Sequence, residues 1–224
     1  MKTKGVNKDG VKVKSPVIFV LFILSCLSHY ASAQEYAGVK DVETFMRQYK
    51  SVSQEIKTLE ADFTQEKEIA LLTNKLHSSG RMIFRNDNRL KIEYFKPNAF
   101  IFAMQGEKIT IKDGERAASS ISTKSSRLFE QISQITMHAI NGRIFDSKGF
   151  SSNILEDGDS YLIVLVPKSG GIREYYRELN LHIAKKTFLM EKMTMKETSG
   201  DKTVMNFKNI RTNNAVSDEV FVVD

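Results

Sequence analysis

Apolar residues recur at every second position in segment 80–97, with the polar turn 86–88 between two such runs. A period of two is typical of β-strands, because successive side chains point to opposite faces. The pattern therefore predicts a hairpin with one apolar face, with strands at 81–85 and 90–94. Its two apolar stripes are Met82 with Phe84, and Leu90 with Ile92 and Tyr94.

Two other segments, 41–56 and 124–140, have apolar residues three and four positions apart, which predicts amphipathic helices. Asp41 is a candidate N-cap for the first helix. The second ends at Asn141 and Gly142, which favour a C-terminal stop. The predicted apolar stripe of the second helix is Leu128, Ile132, Ile135 and Ala139.

Short polar turns separate most of the remaining apolar runs. Such turns join antiparallel neighbours and leave no room for the crossover helices of a parallel sheet. We therefore expect a mainly β protein in which the helix at 124–140 interrupts a meander. The other predicted strands are 59–67, 150–155, 161–166, 174–183, 188–196 and 204–210.

Residues 1–33 have the order of a secretory signal: five lysines, an apolar stretch too short to span a bilayer, and Ala31-Ser32-Ala33. We expect this leader to be cleaved, leaving 34–224 as one domain. Two alternatives are an uncleaved membrane anchor and a lipoprotein signal with lipidation at Cys26.

Removing the leader changes the charge of the chain. The whole chain has 33 basic and 27 acidic residues, a net charge of +6. Because the leader holds five lysines and one aspartate, the rest keeps 28 basic and 26 acidic residues, a net charge of +2. This weakens a nucleic-acid-binding interpretation. Cys26 is the one cysteine, so residues 34–224 have no thiol for a disulfide or a nucleophile.

No catalytic motif stands out in the remaining sequence. His77, His138 and His182 fall in three different predicted elements, without a metal-ligand pattern such as HExxH. The G-x-S-x-G motif of serine hydrolases is absent as well. A carboxylate pair assembled from distant strands stays open, but we expect neither an enzyme nor a bound cofactor or metal.

Soft apolar side chains are concentrated on one face of the predicted sheet. Methionine is flexible and suits a surface that repacks around variable apolar guests. Two interpretations stay open, since a buried core and a binding cavity give the same pattern. The residues are Phe63, Met82, Phe84, Leu90, Ile92, Tyr94, Phe100, Phe102, Met104, Met193, Met195, Met205 and Phe207.

Short motifs follow one another in an order that resembles the LolA-type outer-membrane lipoprotein carrier family. They comprise the leader and first helix, Leu59-x-Ala61-x-Phe63-x-Gln65, Gly80, Leu90-x-Ile92-x-Tyr94, Pro97, a hairpin at 106–114, the central helix, Leu165-Val166-Pro167-Lys168 and Asp218-Glu219-Val220-Phe221. The resemblance implies an incomplete antiparallel β-barrel, a curved sheet of roughly ten or eleven strands, with helices lidding its concave apolar face.

The resemblance also implies a function. Members of this family shield the acyl chains of lipoproteins in the periplasm and carry them from the inner to the outer membrane. The implied partners are acylated lipoproteins, an inner-membrane ABC-type release complex and an outer-membrane acceptor, with the carrier a monomer that binds no nucleic acid. The cavity residues it indicates are Phe63, Met82, Phe84, Leu90, Ile92, Tyr94, Phe100, Phe102, Met193 and Met195, and the lid residues are Leu128, Ile132, Ile135 and Ala139.

The first hairpin turn departs from the family pattern. Relatives have an Arg-Pro pair there whose arginine helps to close the lid, whereas this chain has Asn86 and Asp87. Arg85 and Arg89 are the nearest candidates for the lid-closing role. The departure leaves two alternatives on the same fold: a carrier of another lipid or glycolipid, and an envelope sensor or interaction protein without a transport role.

Overall fold

The computed structural model describes residues 36–122, 127–146, 148–168 and 171–223, and of residues 121, 122 and 127–129 it describes the backbone alone. The predicted leader and Cys26 lie outside the described residues, so the predicted cleavage stays a prediction. Within the described part, no helix is long and apolar enough to cross a membrane.

One antiparallel sheet of twelve strands forms the frame of the described chain, in the order β1-β8-β9-β10-β11-β12-β2-β3-β4-β5-β6-β7. The sheet is curved and unclosed, since β1 and β7 lie at its two ends. This confirms the predicted open antiparallel barrel, with slightly more strands than expected. The strands are β1 (Ala37–Gly38), β2 (Thr58–Glu68), β3 (Leu76–Arg85), β4 (Arg89–Lys96), β5 (Phe100–Gln105), β6 (Lys108–Asp113), β7 (Ser119–Ser122), β8 (Phe150–Glu156), β9 (Ser160–Pro167), β10 (Tyr176–Ala184), β11 (Met190–Glu197) and β12 (Lys202–Thr212).

The two long predicted helices are present, as α1 (Val42–Gln54) and α2 (Arg127–Ile140). Asp41 caps α1 as expected, because its carboxylate accepts a hydrogen bond from the Thr44 amide at 2.9 Å. Among the described residues there are three shorter helical segments: α3 (Ile172–Tyr175) and the 3-10 turns Ile144–Asp146 and Asp218–Phe221.

The predicted hairpin is formed by β3 and β4. Met82 is opposite Ile92 and Phe84 is opposite Leu90, so both stripes lie on the inner face of the sheet. Both strands extend beyond the predicted ends. The N-terminal extension of β3 is the longer one, because β3 pairs with the long strand β2 from Leu76 onward. In the turn, Asn88 adopts a left-handed φ of 69°, a conformation that asparagine tolerates.

Two predicted strand starts were wrong. β10 begins at Tyr176, because the residues just before it form α3. β11 begins at Met190, because Phe188 lies in the preceding turn with φ 55°. The Phe188 ring joins an aromatic cluster, with its centroid 5.9 Å from Tyr161 and 6.3 Å from Phe45 of α1. A sequence pattern shows only that Phe188 is apolar, so a buried aromatic residue in a turn is easily taken for the first residue of a strand.

Helix α1 packs through this aromatic cluster onto the β9–β11 side of the sheet. Phe45 lies 4.4 Å from Tyr161 between ring centroids and is stacked on Tyr49 at 5.7 Å. The Tyr49 hydroxyl donates a hydrogen bond to the carbonyl of Ala139, which links α1 to α2. The inner face of β2–β5 is thereby left for α2.

Only glycine fits at position 80 of β3, where the strand lies directly opposite Phe63 of β2. A Cβ built at this position would lie 1.9 Å from the Glu93 carbonyl oxygen and 2.8 Å from Cζ of Phe63. We expect Gly80→Ala to lower the free energy of unfolding by about 1–3 kcal/mol, the usual cost of overpacking. Chemical denaturation measures this change. In the control Gly158→Ala the added Cβ meets nothing within 4 Å, so an equal loss in both variants would contradict the explanation.

Candidate functional site

A cavity of about 130 Å³ lies between helix α2 and the inner face of the sheet. Its floor is built by β2–β5 together with β11 and β12, and α2 covers it. The lining residues are Gln65, Met82, Ile92, Tyr94, Phe100, Phe102, Ile132, Ser133, Thr136, Met193, Met195, Met205 and Phe207.

The walls of the cavity are apolar and soft. Met82, Met193, Met195 and Met205 contribute four flexible thioether side chains, and Met193 lies directly opposite Met205 in the β11–β12 pair. Most of the other lining residues are phenylalanine or isoleucine. Since methionine fills irregular space at little cost, these walls can repack around apolar guests of different shape.

A polar pair lies at one side of the cavity. The Tyr94 hydroxyl donates a hydrogen bond to Oε1 of Gln65 at 2.9 Å. The Tyr94 ring is fixed edge-on against Phe63 and Phe100, with centroid distances of 5.0 and 5.9 Å. Burial raises the pKa of the Tyr94 hydroxyl, so it stays a neutral donor at physiological pH.

On the helix side, polar side chains also face the cavity. Ser133 and Thr136 are buried, and the Thr136 hydroxyl donates to the Ile132 carbonyl of its own helix at 2.9 Å. Because this bond stays within α2, it does not fasten the helix to the sheet.

The sequence-predicted cavity residues fall into two groups. Phe63, Phe84 and Leu90 lie on the same inner face but are packed into the core and do not line the cavity. Whether any of them binds a lipid stays a prediction. The lining group is Met82, Ile92, Tyr94, Phe100, Phe102, Met193 and Met195.

The predicted lid residues are distributed differently from the expected stripe. Ile132 lines the cavity, whereas Ile135 lines a separate groove of about 320 Å³ between α2 and Phe150 of β8. Ala139 is buried and lines a small neighbouring space with Phe188, but it does not line the cavity itself. The side chain of Leu128 lies outside the described residues.

Five lining residues were not selected from the sequence. Met205 and Phe207 belong to the inner-face pattern, and Ser133 and Thr136 flank the predicted helix stripe. Gln65 had the clearest signal, since it is a polar residue at an inward-facing position after Leu59, Ala61 and Phe63. A polar residue that interrupts an apolar stripe can mark the limit of a cavity.

Arg85 and Arg89 bind the C-terminal segment of the chain. Arg85 donates to Asp218 at 2.6 Å, to Asp87 at 2.8 Å and to the Val216 carbonyl at 3.0 Å. Nη1 of Arg89 lies 2.9 Å from the Asp218 carboxylate. This cluster fastens the 3-10 turn Asp218–Phe221 to the hairpin, and a role in closing the lid stays a prediction.

The same cluster gives a prediction about acid stability. Hydrogen bonds from Arg85 lower the pKa of Asp218 and of Asp87 below the usual value of 3.8. A lowered folded-state pKa stabilises the fold above the unfolded-state pKa, and this stabilisation is lost as the pH falls through the folded-state value. We expect Asp218→Asn to lose less stability than the unmodified protein between pH 7 and pH 3 in urea unfolding. Equal losses would contradict this role of the cluster.

The histidines lie apart, His77 exposed on β3, His138 half-buried on α2 and His182 half-buried on β10. Tyr36 and His182 share a hydrogen bond of 3.0 Å between the hydroxyl and Nδ1. Across the described ranges, no group of three or more His, Cys, Asp or Glu side chains is placed to hold a metal ion.

A family model described as "Outer membrane lipoprotein carrier protein LolA" matches residues 54–224. The chain belongs to the LolA family. The matched region contains the sheet from β2 onward and all the residues that line the cavity, so it includes the whole candidate site. The family resemblance predicted from the short motifs is thereby confirmed.

Comparison with solved structures gives low sequence identities. A LolA superfamily protein from Nitrosomonas europaea is 13% identical, with 80% of this chain and 97% of that one covered and a TM-score of 0.44. The lipoprotein LppX from Mycobacterium tuberculosis is 13% identical, with 78% and 97% covered and a TM-score of 0.46. The MucA/MucB complex of Pseudomonas aeruginosa gives 10% identity, 81% and 60% coverage and a TM-score of 0.43. No curated protein matches the chain in sequence.

Proposed function

We propose that this LolA-family protein is a periplasmic carrier that shields the acyl chains of lipoproteins and moves them from the inner to the outer membrane. The observation that carries the proposal is the soft apolar cavity beneath α2, in a chain that matches the carrier family over residues 54–224. The proposed partners are an inner-membrane ABC-type release complex and an outer-membrane acceptor. The proposed function needs no catalytic residue, so we propose that the protein is not an enzyme.

The energy of the task explains why an apolar cavity suits it. Each acyl CH₂ group exposed to water costs about 0.8 kcal/mol, so one long chain costs on the order of 10 kcal/mol outside a membrane. A carrier must replace most of that burial during transit. It must also release the chain, and flexible methionine side chains, which can repack as the acyl chain enters and leaves, suit both requirements.

Helix α2 must move for a full acyl chain to enter. An apolar cavity of about 150 Å³ holds a benzene molecule, so 130 Å³ is too small for a chain of sixteen carbons. The described hydrogen bond of Thr136 lies within α2, and packing of Ile132 over the methionines can be replaced by packing against a guest. We therefore interpret the structure as a closed form in which cargo displaces α2 from the sheet.

The proposal is tested by titrating the purified protein with a fluorescent peptide that carries an N-terminal acyl chain. We expect saturable binding of one acylated peptide per protein and no binding of the same peptide without its acyl chain. The absence of saturable binding by a correctly folded protein would reject the carrier function. Mass spectrometry of lipids extracted from the native protein separates the cargo classes, since a glycolipid without lipoprotein would favour the alternative carrier.

A further inference from the structure

Strand β3 has an open edge at its N-terminal end. β3 pairs with β2 from Leu76 onward, where Leu76 is opposite Lys67. Its pairing with β4 begins only at Ser79, which is opposite Lys96. Within the described sheet, residues 76–78 therefore have a neighbouring strand on one side only. Pro97 follows the last residue of β4, and a proline has no amide hydrogen with which to extend the pairing.

This open edge is continuous with the floor of the cavity. Cross-strand pairing places Met193, Met205, Gln65 and Ser78 in one row across β11, β12, β2 and β3. Residues paired in this way point to the same face of the sheet. Met193, Met205 and Gln65 all line the cavity, so the row leads from the apolar cavity directly to Ser78 at the edge.

Beyond the cavity, more of the lining residues along that row carry a polar group. An open depression of about 660 Å³ lies at the edge, and its lining combines hydroxyl, amide, imidazole and ammonium groups. Gln65 lines both the depression and the cavity, and it accepts the hydrogen bond from Tyr94 of the cavity lining. The depression is lined by Thr64, Gln65, His77, Ser78, Ser79, Lys96 and Pro97.

We propose that the open edge of β3 binds the extended peptide that follows the acylated residue of the cargo, as a short added strand. This inference rests on the proposed carrier function and specifies how a lipoprotein is recognised. An acyl chain in the cavity would place the attached polypeptide beside Gln65 and Ser78, next to backbone groups that have no strand partner on that side. Backbone hydrogen bonds at a sheet edge bind a peptide with little dependence on its sequence, which suits varied cargo.

Exposed apolar side chains beside the edge support a peptide as the occupant. Leu76 is 51% exposed on the edge itself, and Phe95 is 54% exposed where β4 bulges opposite Ser79 and Gly80. Sheet edges of soluble proteins are usually guarded by charge or by a covering segment. Besides the Lys96 ammonium group, this edge presents exposed apolar side chains and hydroxyl groups, which offer a peptide both packing and hydrogen bonds.

Disulfide capture tests the inference directly. In a Cys26→Ser background the chain has no other thiol, so Ser78→Cys introduces a single reactive site. The probe is an acylated peptide with one cysteine placed at successive positions after the acylated residue. We expect capture at Ser78→Cys at least about tenfold above the control Ser152→Cys, which lies exposed on β8. Capture should alternate with a period of two along the peptide, because alternate residues of a strand face the same side.

Amide hydrogen exchange gives a second measurement that needs no substitution. We expect exchange at residues 76–78 to slow at least about tenfold with the acylated peptide and not with a free fatty acid. The inference would be overturned by any of three results: capture equal to that of the control, capture without alternation along the peptide, or unchanged amide exchange at this edge. If the acylated peptide still binds in that case, the carrier function stands. If neither the acylated peptide nor the fatty acid binds, both proposals fail.

Discussion

Replacing Ile92 with glutamate is expected to abolish binding of an acylated peptide while leaving the fold intact. Ile92 is half-buried and lines the cavity between Met82 and Phe102, its partners on β3 and β5. A carboxylate there would face bound acyl chain instead of water, and desolvating an unpaired charge costs several kcal/mol. Since 1.4 kcal/mol corresponds to a factor of ten, we expect affinity to fall by at least about 100-fold. Fluorescence titration measures the change.

The chain offers a matched control for this substitution. Ile101 lies on β5 directly opposite Glu93 and Lys112, on the outer face of the sheet. Ile101→Glu makes the same chemical change on the face that already carries a carboxylate, and we expect it to keep the affinity of the unmodified protein. If Ile92→Glu binds as tightly as Ile101→Glu, the cavity beneath α2 is not where the acyl chain lies. Circular dichroism of both variants establishes that each is folded.

The sequence predicts the sheet well because its signals are local. Alternation in β3 and β4 identified which side chains face inward, and the register places Met82 opposite Ile92 as that pattern requires. Asp41 marked the start of α1 because a capping carboxylate needs only a backbone amide within its own first turn. Predictions fail where a tertiary contact determines the local conformation. Phe188 is an example, because its ring packs on Phe45 and Tyr161 from a turn and not from a strand.

The cavity itself is harder to predict than the sheet. Phe84 and Leu90 share the inner face with Met82 and Ile92, yet the first two are packed tightly and only the last two line the cavity. An apolar pattern says that a face is buried but not how closely another element approaches it. That distance depends on where α2 lies, and α2 is joined to the sheet through side chains distant in sequence.

The roles of Arg85 and Arg89 depend on contacts of the same long-range kind. The resemblance to the family predicted a lid-closing arginine near the first turn. The described bonds of Arg85 go to Asp87 close by, and to Val216 and Asp218, which are 131 and 133 residues away. No local pattern near Arg85 indicates that the end of the chain returns to the hairpin, so this fastening was found only from the structure.

Phe221→Ala is expected to lower the free energy of unfolding strongly. Phe221 is fully buried where the last 3-10 turn packs against β4 and β5. Guanidinium groups of Arg85 and Arg89 lie 5.4 and 5.8 Å from the centroid of its ring. Truncating a fully buried phenylalanine removes its apolar burial and leaves a cavity, which typically costs about 3–5 kcal/mol. Chemical denaturation at neutral pH measures the loss.

The control for this prediction is Val222→Ala, at a neighbouring side chain that is 52% exposed, and we expect it to change stability little. The side-chain amide of Gln105 donates a hydrogen bond from Nε2 to the Phe221 carbonyl at 2.8 Å, and this bond does not depend on the Phe221 ring. The turn therefore keeps one attachment in Phe221→Ala, and the measured loss reports packing. Because Phe221 does not line the cavity, the variant should keep its affinity for an acylated peptide while it is folded. A loss no larger than that of Val222→Ala would show that the C-terminal turn adds little to the fold.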